Sequence, residues 1–254
     1  MIRLLFRLVA LFAKWLPASW AESLALTLIN AKADALPAAE GLRLLFRLDN
    51  RLYESQSRLA LNYGKGRHPK HRITRYHDFF VERVAQGERV LDVGCGQGAL
   101  AFALAERSGA KVTGIDLSEA NILKAKDAYC HPNLDFLCAD ALACLPGGAF
   151  DTVILSNVLE HLAERPAFLK RLAESTGAAR LLLRVPLIER DWRLPLKREL
   201  GVEWRSDPTH HIEYTLEEFE AELAQAGMNI LELRLRWGEA WAVVATARES
   251  ACHV

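Results

Sequence analysis

Residues 89–100 read Arg-Val-Leu-Asp-Val-Gly-Cys-Gly-Gln-Gly-Ala-Leu, and this stretch decides how the chain folds. Val90, Leu91 and Val93 make a strand-like run. It stops on glycines at alternate positions, Gly94, Gly96 and Gly98, after which apolar residues resume at helical spacing. A strand that hands over to a helix through glycines is a tight β-to-α turn. Without Cβ atoms the turn can take left-handed dihedrals and let a ligand approach the backbone, and the free N–H groups at the helix start suit a polar group. Read as G-x-G-x-x-A, the set Gly94, Gly96 and Ala99 also fits a dinucleotide-binding turn, so the neighbours must decide.

Outward from the turn the alternation is regular. Apolar runs at 89–93, 111–115, 134–138, 150–155 and 179–186 are separated by helix-like stretches at 97–108, 118–129 and 161–175, which predicts a parallel sheet with crossover helices. The connection 139–149 has room for a turn of helix only. Thr215 and Glu218 form a capping-box pair that starts a helix running to about 226. Two further runs, 229–236 and 240–247, are close enough to form an antiparallel hairpin. The expectation is an α/β domain over 85–248: a mostly parallel seven-stranded sheet with an antiparallel final hairpin, preceded by an amphipathic helical appendage over 1–84.

Three acids stand at successive strand ends. Asp92 precedes the first glycine by two residues, where a carboxylate can orient the positive end of a methionine-derived ligand. Asp116 follows the second strand, where an acid can accept from both hydroxyls of a ribose. Asp140 ends the third strand and is placed to read an adenine amino group. Each alone could simply cap the next helix. Together, beside the glycine turn, they point to an adenosyl ligand.

The D-x-G-x-G-x-G of 92–98, the acids at 116 and 140, and the segment Phe150-Asp151-Thr152-Val153-Ile154-Leu155-Ser156-Asn157-Val158-Leu159-Glu160-His161-Leu162 resemble the class I S-adenosylmethionine-dependent methyltransferases, which have a Rossmann-like fold. The Leu-Glu-His part resembles the subgroup that includes ubiquinone-biosynthesis O-methyltransferases and small-molecule enzymes. The resemblance covers about residues 85–247. It implies S-adenosyl-L-methionine as cofactor, held by Gly94, Gly96, Gly98, Asp116, Leu117, Asp140 and Ala141, with Asp92 in support and the backbone near Asn157 along the methionine moiety.

In methyl transfer a protein base is needed only where the acceptor must lose a proton. Glu160 and His161 follow the fourth strand at its carboxyl end, and His210 and His211 lie in the loop before the helix at 215. His161, His211 and Glu160 are the catalytic candidates. Some related O-methyltransferases and small-RNA 2′-O-methyltransferases have Glu-x-x-Glu-His plus a distant histidine as a metal site. Here the first position is Asn157, an amide without charge, so no metal is expected. Loop 187–211, with Trp192 and Trp204, is a candidate lid, and Arg190, Arg193, Lys197 and Arg198 are candidates to contact an anionic acceptor, although five acids share the loop. The fourth-strand segment lacks the Asn-Pro-Pro-aromatic pattern of exocyclic-amine methylation, and no Pro-Cys nucleophile is present. That favours an oxygen acceptor on a small-molecule or lipid-linked substrate. The alternatives are N- or C-methylation of a small molecule, an inactive methyltransferase-like binding module, and an NAD-dependent oxidoreductase, the last disfavoured by Asp92, Asp140 and the antiparallel finish.

The chain has 254 residues, 51% of them hydrophobic, with 32 basic and 32 acidic side chains, so nucleic acid is a disfavoured partner. Cys95, Cys130, Cys138, Cys144 and Cys252 contain no C-x-x-C pair, which suits a reducing cytoplasm. At the amino terminus Arg3, Arg7 and Lys14 fall on one narrow stripe of an otherwise apolar helix ended by Pro17. At roughly 22 Å it is too short to span a bilayer of about 30 Å. Residues 1–16 suit either the surface of a membrane, making the protein peripheral to it, or packing on protein. The hexapeptide of 3–8 recurs at 43–48, supplying a second cationic helix. Between appendage and domain, Lys65, Arg67, Lys70, Arg72 and Arg75 with His68, His71 and His77 could grip a phosphate or carboxylate, or form a solvated linker.

Overall fold

A computed structural model of the chain describes residues 2–66 and 68–246. Arg67, Cys252 and the end of the last strand-like run lie outside the described residues, as does the side chain of Arg3. The helices α1 (Ile2–Ala13), α2 (Ala18–Asp34), α3 (Ala38–Tyr63), α4 (Lys70–Thr74) and α5 (Tyr76–Val81) come first. Then follow β1 (Arg89–Val93), α6 (Ala99–Ser108), β2 (Lys111–Asp116), α7 (Glu119–Ala128), β3 (Leu134–Cys138), β4 (Thr152–Ser156), α8 (Arg165–Thr176) and β5 (Arg180–Pro186). The last elements are α9 (Arg193–Glu199), α10 (Leu216–Gln225), β6 (Asn229–Arg236) and β7 (Glu239–Ala245). Single 3-10 turns occupy Leu159–His161 and Ile188–Arg190.

The described chain forms two compact units, one comprising residues up to Ala60 together with Pro195–Trp204, the other Leu61–Leu194 and the residues from Arg205 on. In the second, the sheet order is β3-β2-β1-β4-β5-β7-β6. Strands β1 to β5 run parallel, and β7 pairs antiparallel with both β5 and β6. This is the sheet expected from the seven apolar runs. Its order reverses between β1 and β4, and open α/β sheets bind ligands in the crevice at the carboxyl ends of strands where that happens.

Side chains alternate across the sheet with period two. Leu91, Val93, Val153, Leu155, Leu181 and Leu183 point into one core with Phe168, Leu172, Tyr214 and Phe219 of the α8/α10 side. Val90, Val112, Ile154, Leu182, Trp241 and Val243 point into the other with Tyr76, Phe79, Phe80, Leu100 and Leu104. The burial of Tyr76, Phe79, Phe80 and Val84 in this second core ties residues 61–84 to the sheet unit. The boundary expected at 84 therefore falls near 60.

In the helical unit Gly41 of α3 approaches α2 so closely that a Cβ there would lie 2.8 Å from the carbonyl oxygen of Ala33. Phe46 is buried on α3 and Val202 in the excursion. Pro195–Trp204 is bonded to α3. Buried Lys197 donates to Asp49 Oδ2 and Asn50 Oδ1, both at 2.8 Å, Arg43 Nε donates to the Leu200 carbonyl at 2.8 Å, and Asn50 Nδ2 to that of Glu203 at 2.7 Å. Loop 187–211, read from sequence as a single lid, is thus divided: its middle belongs to the helical unit.

One further boundary differs from expectation, and two details agree with it. The helix expected over 161–175 starts at Arg165, because Leu159–His161 winds as a 3-10 turn and Pro166 favours a helix's first turn. Residues 139–149 hold only a turn, in which Asp140 caps Leu142. Helix α10 begins on the expected capping box, with Thr215 Oγ1 accepting from the Glu218 N–H at 3.0 Å and Glu218 Oε2 from the Thr215 N–H at 2.8 Å.

Candidate active site

The glycine turn leaves β1 with left-handed dihedrals at Gly94, Gly96 and Gly98. At Gly98 a Cβ would meet Phe136 Cζ at 2.4 Å, so both the dihedral and the packing require glycine. At Gly96 a Cβ would meet nothing within 4 Å, so the backbone there faces open space that a ligand can enter. The Gly96 N–H donates to Asp116 Oδ2 at 2.9 Å, while Asp116 Oδ1 accepts from the Ser118 N–H at 2.9 Å and Asn121 Nδ2 at 3.1 Å. Asp116 therefore joins the tips of β1 and β2, with three of about four acceptor directions used and one open. Beside it the Leu117 side chain is exposed.

Asp92 is sealed from water, and its Oδ2 has no hydrogen-bond partner. Burial, assisted by the nearby Asp116 charge, pushes its carboxyl up to about 7. A positive ligand at the strand tip would supply the missing partner. Asp140 is exposed, with Oδ1 accepting from the Leu142 N–H at 2.8 Å, and Ala141 is half-buried. Asn157 holds a left-handed backbone (φ 58°), bonds its N–H to the Arg184 carbonyl at 2.8 Å, and keeps Oδ1 buried without a partner.

Beyond the tip of β4 a second group assembles. One potential ligand atom each from Glu160, His161 and His210 lies within 4.8 Å of the others. Glu160 is fully buried with neither carboxylate oxygen bonded, and burial pushes it up to about 7. The His161 and His210 rings meet edge to face at 4.5 Å. His161 is shifted down, by burial and then by His210. Thr209 Oγ1 donates its single proton to Asp207 at 2.7 Å, so at 2.9 Å it can only accept from His161 Nδ1, which leaves the lone pair on Nε2. His210 Nδ1 meets Glu213 Oε1 at 2.9 Å. Burial alone would raise Glu213, but bonds from His210, Arg190 and Ser206 outweigh it and hold the carboxyl at about 2.

His211 is exposed, and its N–H donates to the Glu160 carbonyl at 2.7 Å, fastening the loop to the β4 tip. Of the two loop histidines, the structure brings His210, not the candidate His211, to Glu160 and His161, while His211 contributes its backbone to that fastening. The cations of 187–198 are engaged within the protein: Arg190 with Glu213, Arg193 with Asp191, Lys197 with Asp49, and Arg198 over the Trp204 ring. In the basic segment, Arg75 pairs with Asp78, and burial holds His71 and His77 down at about 4, so both imidazoles are neutral. Sequence reading missed Tyr76, whose ring lies 3.9 Å beneath the Arg184 guanidinium, and Glu239, which binds that guanidinium at both ends. Arg-Glu pairing between β5 and β7 carries no local signal.

The sequence profile of the methyltransferase domain family matches residues 65–233. The chain belongs to that family. A relative of this methyltransferase domain in Rhodopseudomonas palustris (strain BisB5), named ubiquinone biosynthesis O-methyltransferase, is 34% identical over 154 residues, 58% of this chain and 60% of the relative. The chain thus matches about 60% of that relative's length. Among solved structures, a TehB-like S-adenosylmethionine-dependent methyltransferase from Corynebacterium glutamicum has 18% identity and a TM-score of 0.53, covering 80% of this chain and all (100%) of that one. Magnesium protoporphyrin IX methyltransferase from Synechocystis, with S-adenosylmethionine bound, has 22% identity and a TM-score of 0.52 over 68% of this chain and 79% of its own. These likenesses establish the Rossmann-like fold of S-adenosylmethionine-dependent methyltransferases. S-adenosylmethionine is the cofactor that fold implies, and the open backbone at Gly96, the acceptor Asp116 and the unpartnered Asp92 oxygen fit it.

Proposed function

We propose that the protein is an S-adenosylmethionine-dependent enzyme that O-methylates a small-molecule or lipid-linked acceptor at a membrane surface. The observation that carries the reading is the close trio of Glu160, His161 and His210 beyond β4, one switch-point strand away from the glycine turn. Bound S-adenosylmethionine supplies an electrophilic methyl on a sulfonium. Gly94, Gly96 and Gly98 would admit its polar tail, Asp116 its ribose with Leu117 alongside, Asp140 and Ala141 its adenine, and Asp92 with the Asn157 backbone its charged end. An acceptor hydroxyl must give up its proton as the methyl bond forms, and an imidazole Nε2 lone pair is a base suited to near-neutral pH. His161 and His210 are our candidates, with Glu160 taking the proton onward and His211 holding the loop closed through its backbone.

The membrane part of the reading is supported by α1, the turn after it and α2, where Leu8, Phe12, Trp15, Trp20 and Leu28 are exposed beside Arg7 and Lys14. Among the described residues no helix is long and apolar enough to cross a membrane. The test is incubation with methyl-labelled cofactor and bacterial lipid extract, followed by mass spectrometry of the product. A labelled methyl ether is expected, and label on nitrogen or carbon, or no transfer by protein that binds the cofactor, would overturn it.

A second reading is favoured by the two partnerless Glu160 oxygens. A carboxylate and two imidazoles within 4.8 Å can hold a divalent cation that polarises the acceptor hydroxyl, although the charge-free Asn157 led us to expect none. Native mass spectrometry after dialysis against manganese or zinc distinguishes the two.

A further inference from the structure

Behind the two imidazoles lies a carboxylate outside that acceptor chemistry. The Glu213 side chain is fully enclosed. Its Oε2 receives the Arg190 guanidinium, and its Oε1 receives the Ser206 N–H at 2.6 Å, the Ser206 hydroxyl at 2.8 Å and His210 Nδ1 at 2.9 Å. We propose that Glu213 is a positioning residue for methyl transfer: it locks the rotation and tautomer of His210 so that Nδ1 carries the proton and Nε2 the lone pair. This rests on the reading of Glu160, His161 and His210 as the acceptor's base.

The assignment follows from who can donate. A guanidinium and a backbone N–H have no acceptor, so the carboxylate facing them is the accepting partner, and the imidazole on the same oxygen must donate. Such a carboxylate behind a histidine fixes its ring and raises the basicity of the far nitrogen. Neighbouring His161 reaches the same tautomer by another device, the accepting Thr209 hydroxyl. Two adjoining imidazoles are thereby set with both Nε2 atoms as bases, one held by an enclosed carboxylate and the other by a loop hydroxyl. A mere staple for the loop would need only Arg190 and Ser206. The bond to His210 is the part that a stapling role leaves unexplained.

The test uses the full chain with histidine labelled in nitrogen-15, His210 being assigned by its loss in His210→Asn. Wild-type His210 should show a protonated Nδ1 and a bare Nε2. Glu213→Gln should mix the tautomers and lower methyl transfer to the lipid extract by about tenfold or more at unchanged S-adenosylhomocysteine affinity, with Glu213→Asp restoring part of both. Arg190→Gln removes a staple partner and should keep the tautomer and most of the transfer. A wild-type His210 protonated at Nε2, an unchanged tautomer in Glu213→Gln, or an equal loss in Arg190→Gln would overturn the proposal. Full transfer by His210→Asn, with its neighbour's tautomer intact, would instead overturn the base reading beneath it.

Discussion

Asp92 ends β1 with a carboxyl that native burial holds at about 7, against roughly 3.9 for a solvated aspartate. A carboxyl raised in the folded state stabilises the fold fully below its unfolded pKa, and that contribution is lost as pH rises through the native value. Between about pH 4 and pH 7 the Asp92 contribution should therefore be lost, Glu160 acting in the same direction and the neutral His71 and His77 in the opposite one. Differential scanning fluorimetry should show the Tm of Asp92→Asn gaining on that of the wild type between about pH 5 and about pH 8. A sulfonium beside Asp92 favours the charged form, so the affinity ratio of S-adenosylmethionine to its demethylated product should rise over the same interval. Calorimetry should find that rise in the wild type and a flat ratio in Asp92→Asn. Asp116 has a different part, since it both joins β1 to β2 and faces the proposed ribose. Asp116→Ala should weaken S-adenosylhomocysteine binding by at least tenfold, equivalent to about 1.4 kcal/mol, as read by calorimetry.

At the scale of elements, the glycine turn and the capping box were legible because their chemistry is local. Alternate glycines after an apolar run specify the turn, and Gly98→Ala should abolish cofactor uptake by driving a methyl into Phe136, measurable as loss of the ligand-induced Tm shift. Thr215→Ala removes one bond of the α10 box and should cost about 1 kcal/mol, with a Tm lower by about 2–4 °C in thermal melts. What stayed hidden were partnerships that join distant residues. Nothing in Asp-Pro-Thr-His-His-Ile-Glu says that His210 instead of His211 turns inward. That choice is made by Glu213 and Ser206 once the loop closes. The 3-10 winding of Leu159–His161 was equally hidden, because apolar periodicity is the same for the first turn of a helix and for a 3-10 turn.

For the whole molecule, the least legible feature was the division of loop 187–211. Lys197 meets Asp49 across 148 positions of chain, and no composition or spacing links them. The buried ammonium has its partners on α3, so removing residues 1–60 leaves it and the bonded carbonyls of Leu200 and Glu203 without them. A chain beginning at residue 61 should be markedly less stable or insoluble, whereas one lacking only residues 1–16 should keep its Tm and S-adenosylhomocysteine affinity. Under the surface-docking proposal, that shorter deletion should also lose flotation with vesicles of phosphatidylcholine and phosphatidylglycerol, and unchanged flotation would remove the docking idea.

The backbone passes between the two units three times, after Ala60, after Leu194 and after Trp204. Anyone who wished to graft the helices of this protein onto another catalyst would have to transplant two separate gene fragments whose side chains were selected together. A hybrid spliced at a single junction would inherit half of a lock, with a buried lysine cut off from α3 on one parent or an aspartate that has lost its lysine on the other.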